Sequence, residues 1–154
     1  MDFNTLPIPS RPGLLRVGVV GYCSPSRFDL VLAETLIKKG FDLVRAGYPN
    51  QKMLVVSGLT NNGVLKIAYE EAKNRGWKTA GVACEQAYDF KSDWFPVDLP
   101  PIIVGKNWGD ESPVFLASID VLVKVGGGAQ SAREAQQMLN MGKPVYSYEL
   151  PKLE

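Results

Sequence analysis

Three segments of this sequence combine glycine with serine, threonine or asparagine in a way that suits anion binding. They span residues 21–26, 57–63 and 126–131, and each joins a predicted strand to a predicted helix. Glycine lets backbone N–H groups approach a phosphate closely, and hydroxyl side chains add donors. A helix N-terminus also presents free N–H groups and a partial positive charge. The alternative is that these glycines only relieve strain in tight turns, but three such segments favour a ligand.

The residues that we predict to bind this ligand all come from the three segments. They are Gly21, Cys23, Ser24, Ser57, Gly58, Thr60, Asn61, Asn62, Gly63, Gly126, Gly127, Gly128, Ala129, Gln130 and Ser131. Because the carboxyl ends of parallel strands meet at one edge of a sheet, we expect the segments to form a single phosphate-binding site there. We predict no metal site.

The two cysteines, Cys23 and Cys84, are both predicted at strand ends. Helix N-termini lower the pKa of a thiol, so either could be reactive, but small apolar packing residues are the favoured interpretation. Two distant cysteines indicate a reducing, cytoplasmic setting. The sequence contains no histidine, which removes the commonest general base and zinc ligand.

A long predicted loop, residues 85–100, is rich in aromatic and acidic side chains. Its acids Asp89, Asp93 and Asp98 could bind a divalent cation, although solvation of the loop is favoured. Trp94 and Phe95, together with Trp108 beyond the loop, could stack on a flat ring. Packing in the core or in a dimer is the favoured role for these aromatic residues.

Strand and helix patterns alternate along the chain. Strands are predicted at 15–21, 53–57, 79–84, 102–104, 121–125 and 144–148, and helices at 28–40, 64–75, 113–118 and 129–141. Residues 41–52 suggest an irregular excursion or a short edge strand at 41–44. This alternation predicts an α/β fold with a Rossmann-like, doubly wound, mainly parallel sheet in three αβα layers. Residues 1–14 are predicted to form an extended arm and residues 15–154 a single nucleotide-binding domain.

The composition excludes several classes of function. The 154 residues are 45% hydrophobic and 21% charged, with a net charge of +1. We therefore expect neither a nucleic-acid nor a membrane partner. No signal peptide is apparent, which agrees with a cytoplasmic protein.

Residues 125–134, Val-Gly-Gly-Gly-Ala-Gln-Ser-Ala-Arg-Glu, fit neither the dinucleotide fingerprint nor a P-loop. They resemble the P-G-G-x-G-T-x-x-E motif of the LONELY GUY phosphoribohydrolases and their wider Rossmann superfamily. That superfamily includes chains labelled "possible lysine decarboxylase" and molybdenum-cofactor carrier proteins. Gly127, Gly128 and Glu134 match the motif, and the similarity extends over roughly residues 15–150.

The motif also differs from the family pattern. Gly126 stands in place of the proline, Gln130 replaces a glycine, and Ser131 replaces the threonine conservatively. The resemblance implies homo-oligomers, dimers or larger, formed through helices beside the motif, where Met138, Leu139 and Met141 lie.

The resemblance implies catalysis by a glutamate and an arginine in the enzymes of the family. Glu134 occupies the glutamate position, whereas the arginine position falls near Glu111. Arg133 or Lys106 could substitute for the missing cation. The resemblance therefore supports the fold and the binding edge of this chain better than it supports catalysis.

We accordingly expect a carrier or sensor that binds a phosphate-bearing, nucleotide-like or cofactor ligand, such as a nucleotide or a molybdopterin-type molecule, with no cofactor required. The alternative is a phosphoribohydrolase that cleaves the N-glycosidic bond of a nucleoside 5′-monophosphate, with Glu134 assisting. Lysine decarboxylation is rejected, because no lysine lies in a recognisable pyridoxal phosphate site.

Overall fold

The computed structural model describes residues 7–23 and 25–153, and within them a parallel six-stranded sheet forms the centre of the molecule. The strands are β1 (Leu14–Gly21), β2 (Arg27–Phe28), β3 (Lys52–Ser57), β4 (Lys78–Ala83), β5 (Ile102–Ile103), β6 (Val121–Val125), β7 (Val145–Tyr148) and β8 (Lys152–Leu153). In the large sheet the order is β5-β4-β3-β1-β6-β7, with every neighbouring pair parallel. The chain progresses outward from β1 in one direction and then returns to its other side at β6. The switch point between β1 and β6 is where a doubly wound sheet places its ligand.

Helices cover both faces of this sheet, which confirms the predicted Rossmann-like fold. They are α1 (Leu30–Gly47), α2 (Gly63–Asn74), α3 (Ser112–Ala117) and α4 (Ala129–Asn140). Alternating strand residues divide the core, since Val17, Val19 and Val55 pack with α1 and α2 in one cluster. Val20 and Val56 point the other way and pack in a second cluster with residues of α3 and α4.

The first helix is longer than the sequence pattern suggested. We expected it to end at Gly40, but α1 continues to Gly47, and the predicted edge strand at 41–44 is wrong. Gly40 lies inside the helix, and glycine is needed there because a Cβ would come within 2.9 Å of the Val123 side chain. Phe41 and Val44 continue the buried stripe of the helix at helical spacing.

Two further elements were not predicted. The strands β2 and β8 form a short antiparallel pair outside the main sheet. The predicted loop at 85–100 begins with a 3-10 segment, Glu85–Asp93.

The described part of the amino-terminal segment, from residue 7 onward, packs on the domain. Ile8 is buried in the second core cluster, and its carbonyl accepts a 2.6 Å hydrogen bond from the Arg16 guanidinium. Arg16 is itself buried and forms a 2.8 Å ion pair with Asp120. Residues 7 and 8 are therefore part of the folded unit.

Other sequence predictions concern surfaces. Across the described residues no helix has the length and apolar character to cross a bilayer. Met138 is buried in the core, so it is not available for an interface between copies of the chain, whereas Leu139 and Met141 are exposed.

Candidate functional site

A cavity of about 460 Å³ opens at the switch point, beyond the carboxyl ends of β1, β3 and β6. This volume lies in the range of small-molecule sites. The cavity brings together ten of the residues predicted from the sequence. They are Gly21, Cys23, Ser57, Gly58, Thr60, Gly128, Ala129, Gln130, Ser131 and Glu134.

The β6–α4 turn leaves the N-terminus of α4 open to the cavity. Gly126 and Gly127 have φ values of 63° and 101°, which side-chain-bearing residues rarely adopt, and they carry the chain across the end of β1. Gly128 is the N-cap residue, has an ordinary extended conformation, and would place a Cβ in open space. The first N–H groups of α4, from Ala129 onward, therefore point to a space that can receive an anion.

The β3–α2 turn is closed by the protein itself. Gly63, with φ of 62°, packs so tightly on the preceding loop that a Cβ would overlap the Tyr22 carbonyl oxygen. That same carbonyl accepts a 2.8 Å hydrogen bond from the Val64 N–H, in the first turn of α2. Asn61, Asn62 and Gly63 do not line the cavity. The three turns thus meet, but the α4 terminus is the one that faces the open space.

The first loop and the end of β3 complete the rim. Ser57 is buried, and its hydroxyl donates a 2.6 Å hydrogen bond to the Val19 carbonyl, which ties β3 to β1 at the floor of the cavity. The predicted residue Ser24 lies outside the described residues. Among the described residues of this loop, Cys23, Pro25 and Ser26 line the cavity.

Glu134 lies one and a half turns into α4 and is only 5% exposed. Its Oε2 accepts a 2.8 Å hydrogen bond from the Ser112 hydroxyl. Burial, and then the nearby Glu111 charge, raise the pKa of Glu134 above its ordinary value, against the opposing hydrogen bonds from Ser112 and Gln130. Glu134 therefore keeps its proton to a higher pH than a solvated glutamate.

Glu111, near which the resemblance placed the arginine of the family, lines the same cavity. One oxygen of its carboxylate accepts a 3.0 Å hydrogen bond from the Gly109 N–H, and the other accepts a 3.3 Å bond from the Gln130 amide. Gln130 is thus placed at both carboxyl groups. The candidate substitutes Arg133 and Lys106 are exposed, and neither lines the cavity. Among the described lining residues there is no lysine or arginine.

The cysteines do not have the properties of reactive thiolates. Cys23 lines the cavity, but burial raises its pKa. Cys84 is fully buried, does not line the cavity, and also has a pKa raised mainly by burial. The structure thus favours the apolar packing role for both.

The aromatic candidates separate into two groups. Trp108 lines the cavity and is 50% exposed. Phe95 is buried against the Tyr69 ring at 4.8 Å, and the Trp94 ring N–H donates to the Ala87 carbonyl, so both have structural roles.

The acidic loop residues showed no cation-binding arrangement. The Asp98 carboxylate accepts hydrogen bonds from the backbone N–H and the hydroxyl of Thr79. In the part of the chain that the structure describes, no three potential metal-ligating side chains cluster together.

Sequence reasoning missed several lining residues. They are mainly apolar: Val19, Val20, Tyr22, Pro25, Leu59, Leu65, Val82, Ala83 and Phe115. Most of them end strands or follow them, which is their only sequence signal, whereas Leu65 lies in α2 and Phe115 in α3. Ser112, the hydrogen-bond partner of Glu134, also had no motif to mark it.

Comparison with solved structures finds proteins of the same fold. A scan of protein-family models and a search of curated proteins gave no match. Among solved structures, the molybdenum cofactor carrier protein of Chlamydomonas reinhardtii is 27% identical with a TM-score of 0.63, over 86% of this chain and 75% of that one. The protein TM1055 is also 27% identical, with a TM-score of 0.62 over 85% of this chain and 72% of its own.

A third neighbour, the molybdenum cofactor binding protein of the phototrophic bacterium Rippkaea orientalis, shares the fold at 22% identity. Its TM-score is 0.68, and the match spans 90% of this chain and 78% of that chain. The class of the protein is thus a Rossmann-like α/β domain with its site at the switch point. These neighbours match the superfamily predicted from the glycine motif of this chain, which includes molybdenum cofactor carrier proteins.

Proposed function

We propose that this protein binds a phosphate-bearing cofactor or nucleotide-like ligand in the switch-point cavity and acts as a carrier or sensor. The observation that carries the proposal is the open N-terminus of α4 at Gly128, directed into a cavity of about 460 Å³. Two solved structures of similar fold and over 25% identity are both of the molybdenum cofactor carrier protein of Chlamydomonas reinhardtii, which makes a molybdopterin-type ligand the first candidate.

The lining residues have the chemical groups that such a ligand requires. The N–H groups of Ala129, Gln130 and Ser131 would bind its phosphate, assisted by the Ser131 hydroxyl. The remaining wall offers apolar surface and Trp108 for a flat ring system. When bound, the cofactor would supply redox chemistry to a recipient enzyme, while this chain binds, orients and shields it.

Substitution at Gly128 tests the proposal. Gly128→Asp places a carboxylate at the helix end, where aspartate is also a good N-cap, so folding is retained while an incoming phosphate is repelled. Gly128→Asn is the matched control, with the same size and capping ability but no charge. The probes are AMP, inorganic phosphate and molybdenum cofactor released from a molybdoenzyme.

We expect at least one probe to stabilise the wild-type protein against thermal unfolding. At a ligand concentration one hundred times the Kd, this stabilisation amounts to roughly 2.7 kcal/mol. The aspartate variant should lose this stabilisation and the asparagine variant should keep most of it. Equal binding by both variants would contradict a phosphate at α4, and the absence of binding by every probe would contradict the proposed function.

A second candidate is hydrolysis of the N-glycosidic bond of a nucleoside 5′-monophosphate. The observation in its favour is Glu134, buried in the cavity with a raised pKa that suits proton donation to a departing base. The absence of a cation among the described lining residues weighs against it. Release of free adenine from AMP that disappears in Glu134→Gln would establish the enzyme, whereas saturable AMP binding without release would establish the carrier.

A further inference from the structure

One wall of the cavity offers hydrogen-bond acceptors and negative charge. We call it the acceptor wall, and it consists of Glu111, Gln130 and Glu134. The Gln130 amide donates to Glu111, and Ser112 donates to Glu134, which orients both carboxyl groups. With no lysine or arginine among the described lining residues, nothing there neutralises a bound anion.

The phosphate of a ligand is therefore excluded from the side of the cavity where the Glu111 and Glu134 carboxyl groups lie. Carboxylates repel it, whereas the N-terminus of α4 lies at Gly128, between one and two helical turns from Glu134 on the same helix. A ligand that fills the cavity must present its phosphate to the helix end and N–H donors to the acceptor wall. Such a ligand carries an anion and a donor edge on opposite parts of one molecule.

The donor edge that fits a carboxylate best has two parallel N–H groups. A 2-amino-4-oxopyrimidine has this edge, because its ring N–H and exocyclic amine point the same way and match two carboxylate oxygens as an arginine fork does. An adenine edge instead alternates donor and acceptor. The acceptor wall therefore distinguishes rings by the number of adjacent donors.

Trp108 gives the same region an aromatic surface. Its indole lies 6.3 Å from the Phe90 ring, and its backbone N–H donates a 2.6 Å hydrogen bond to the Gln86 side chain. The turn between Trp108 and Glu111 is fixed by the 3.0 Å bond from the Gly109 N–H to the Glu111 carboxylate. One short loop thus presents both a ring face and a carboxylate to the cavity.

We propose, on the basis of the function proposed above, that the acceptor wall and Trp108 select a flat heterocycle with a 2-amino-4-oxopyrimidine edge, the group that pterins and guanine share. Glu111 accepts the two N–H donors, Glu134 extends the acceptor surface, and Trp108 stacks on the ring.

Pairs of ligands that differ in the exocyclic amine test this selectivity. GMP is compared with IMP, which lacks only the 2-amino group, and pterin with lumazine, which has an oxo group in its place. We expect titration calorimetry to give at least about tenfold tighter binding of the amino member of a pair. Preference within the pterin pair alone assigns a pterin ligand, and preference within the nucleotide pair alone assigns a guanine nucleotide.

Substitutions at two positions connect the preference to the structure. Glu111→Gln keeps one acceptor but loses the paired oxygens, so the preference should fall below about threefold while the Gly109 hydrogen bond is retained. Trp108→Leu should weaken both members of a pair equally, and Trp108→Phe should restore most of the affinity. Quenching of tryptophan fluorescence on ligand binding, absent in Trp108→Phe, reports stacking directly.

The outcomes separate this inference from the proposed function. Equal affinity of GMP, IMP and AMP, with binding still abolished by Gly128→Asp, would overturn the selectivity and leave the phosphate site intact. Failure of all these ligands and of molybdenum cofactor to bind would overturn both. An undiminished preference in Glu111→Gln would overturn the role of that carboxylate.

Discussion

Replacement of Tyr69 by phenylalanine should destabilise the protein strongly, although it removes a single oxygen atom. The Tyr69 hydroxyl is completely buried and joins α2 to the end of β3 and to the middle of β4. It accepts a 3.0 Å hydrogen bond from the Ser57 N–H and lies 2.6 Å from the Gly58 carbonyl oxygen and 2.8 Å from that of Ala80. Burial raises the pKa of Tyr69, so the hydroxyl remains protonated and donates.

The magnitude follows from the groups left behind. Phenylalanine strands the Ser57 N–H and at least one carbonyl in the core, and each unsatisfied group costs about 1–3 kcal/mol. We expect a total loss of about 3 kcal/mol in the free energy of unfolding. For a chain of 154 residues this corresponds to a decrease in Tm of roughly 6–12 °C.

Urea unfolding followed by circular dichroism and tryptophan fluorescence measures the loss. Tyr88→Phe is the control, since Tyr88 is half-exposed and its hydroxyl has no hydrogen bond among the described residues. A loss below about 1 kcal/mol in the free energy of unfolding, with an unchanged m-value, would refute the conclusion that the Tyr69 hydroxyl connects α2 to the strands. Because Ser57 and Gly58 also line the cavity, the variant should bind AMP more weakly than the control does.

Three other perturbations have clear signs. Gly40→Ala should lower the free energy of unfolding, measured in urea, by about 1–3 kcal/mol, because its Cβ would lie 2.9 and 3.3 Å from side chains of β6 and β7. The control is Gly47→Ala in the same helix, which should be neutral or stabilising. Burial raises the pKa of Glu134 in the folded state, so the stability of the wild-type protein falls as the pH rises through this raised pKa. Above about pH 4.3, the free energy of unfolding of Glu134→Gln should therefore increase relative to that of the wild type. A difference between the two proteins that does not change with pH would contradict this. Burial raises the pKa of Asp120, but the hydrogen bonds and the charge of Arg16 outweigh this effect and lower the pKa overall. The ion pair between Arg16 and Asp120 therefore stabilises the folded protein above about pH 3.9, and this contribution is lost as the pH falls through the lowered pKa. Asp120→Asn should therefore be less stable at pH 7, with a difference that shrinks in thermal melts at lower pH.

The fold was predictable because each buried strand is a short apolar run between turn residues. The prediction failed where a tertiary contact overrode a local rule. Gly40 has the features of a helix end, yet it lies in mid-helix, where the backbone of α1 approaches Val123 too closely for a Cβ. A local pattern cannot reveal this, since the partner strand lies some eighty residues further along the chain.

The candidate site shows a similar division. Counting along the family motif placed Glu111 where an arginine was expected, and the structure puts that carboxylate in the cavity with Glu134. Which glycine turn stays open was not predictable. The closure of α2 depends on the Tyr22 carbonyl, a backbone group whose position no side-chain pattern encodes.

The charges of the cavity bear on how a carrier releases its ligand. An arginine or lysine hydrogen-bonded to phosphate contributes about 1.5–3 kcal/mol per bond, whereas a helix N-terminus contributes about 0.3–1 kcal/mol, up to about 2 when partly buried. In the proposed complex the phosphate is bound by the N-terminus of α4, since the described lining residues include no cation. Its contribution is therefore modest, and most of the discrimination between ligands lies with the acceptor wall and Trp108. Binding of this kind is selective for the ring while it remains weak enough to reverse, which is what transfer to a second protein requires.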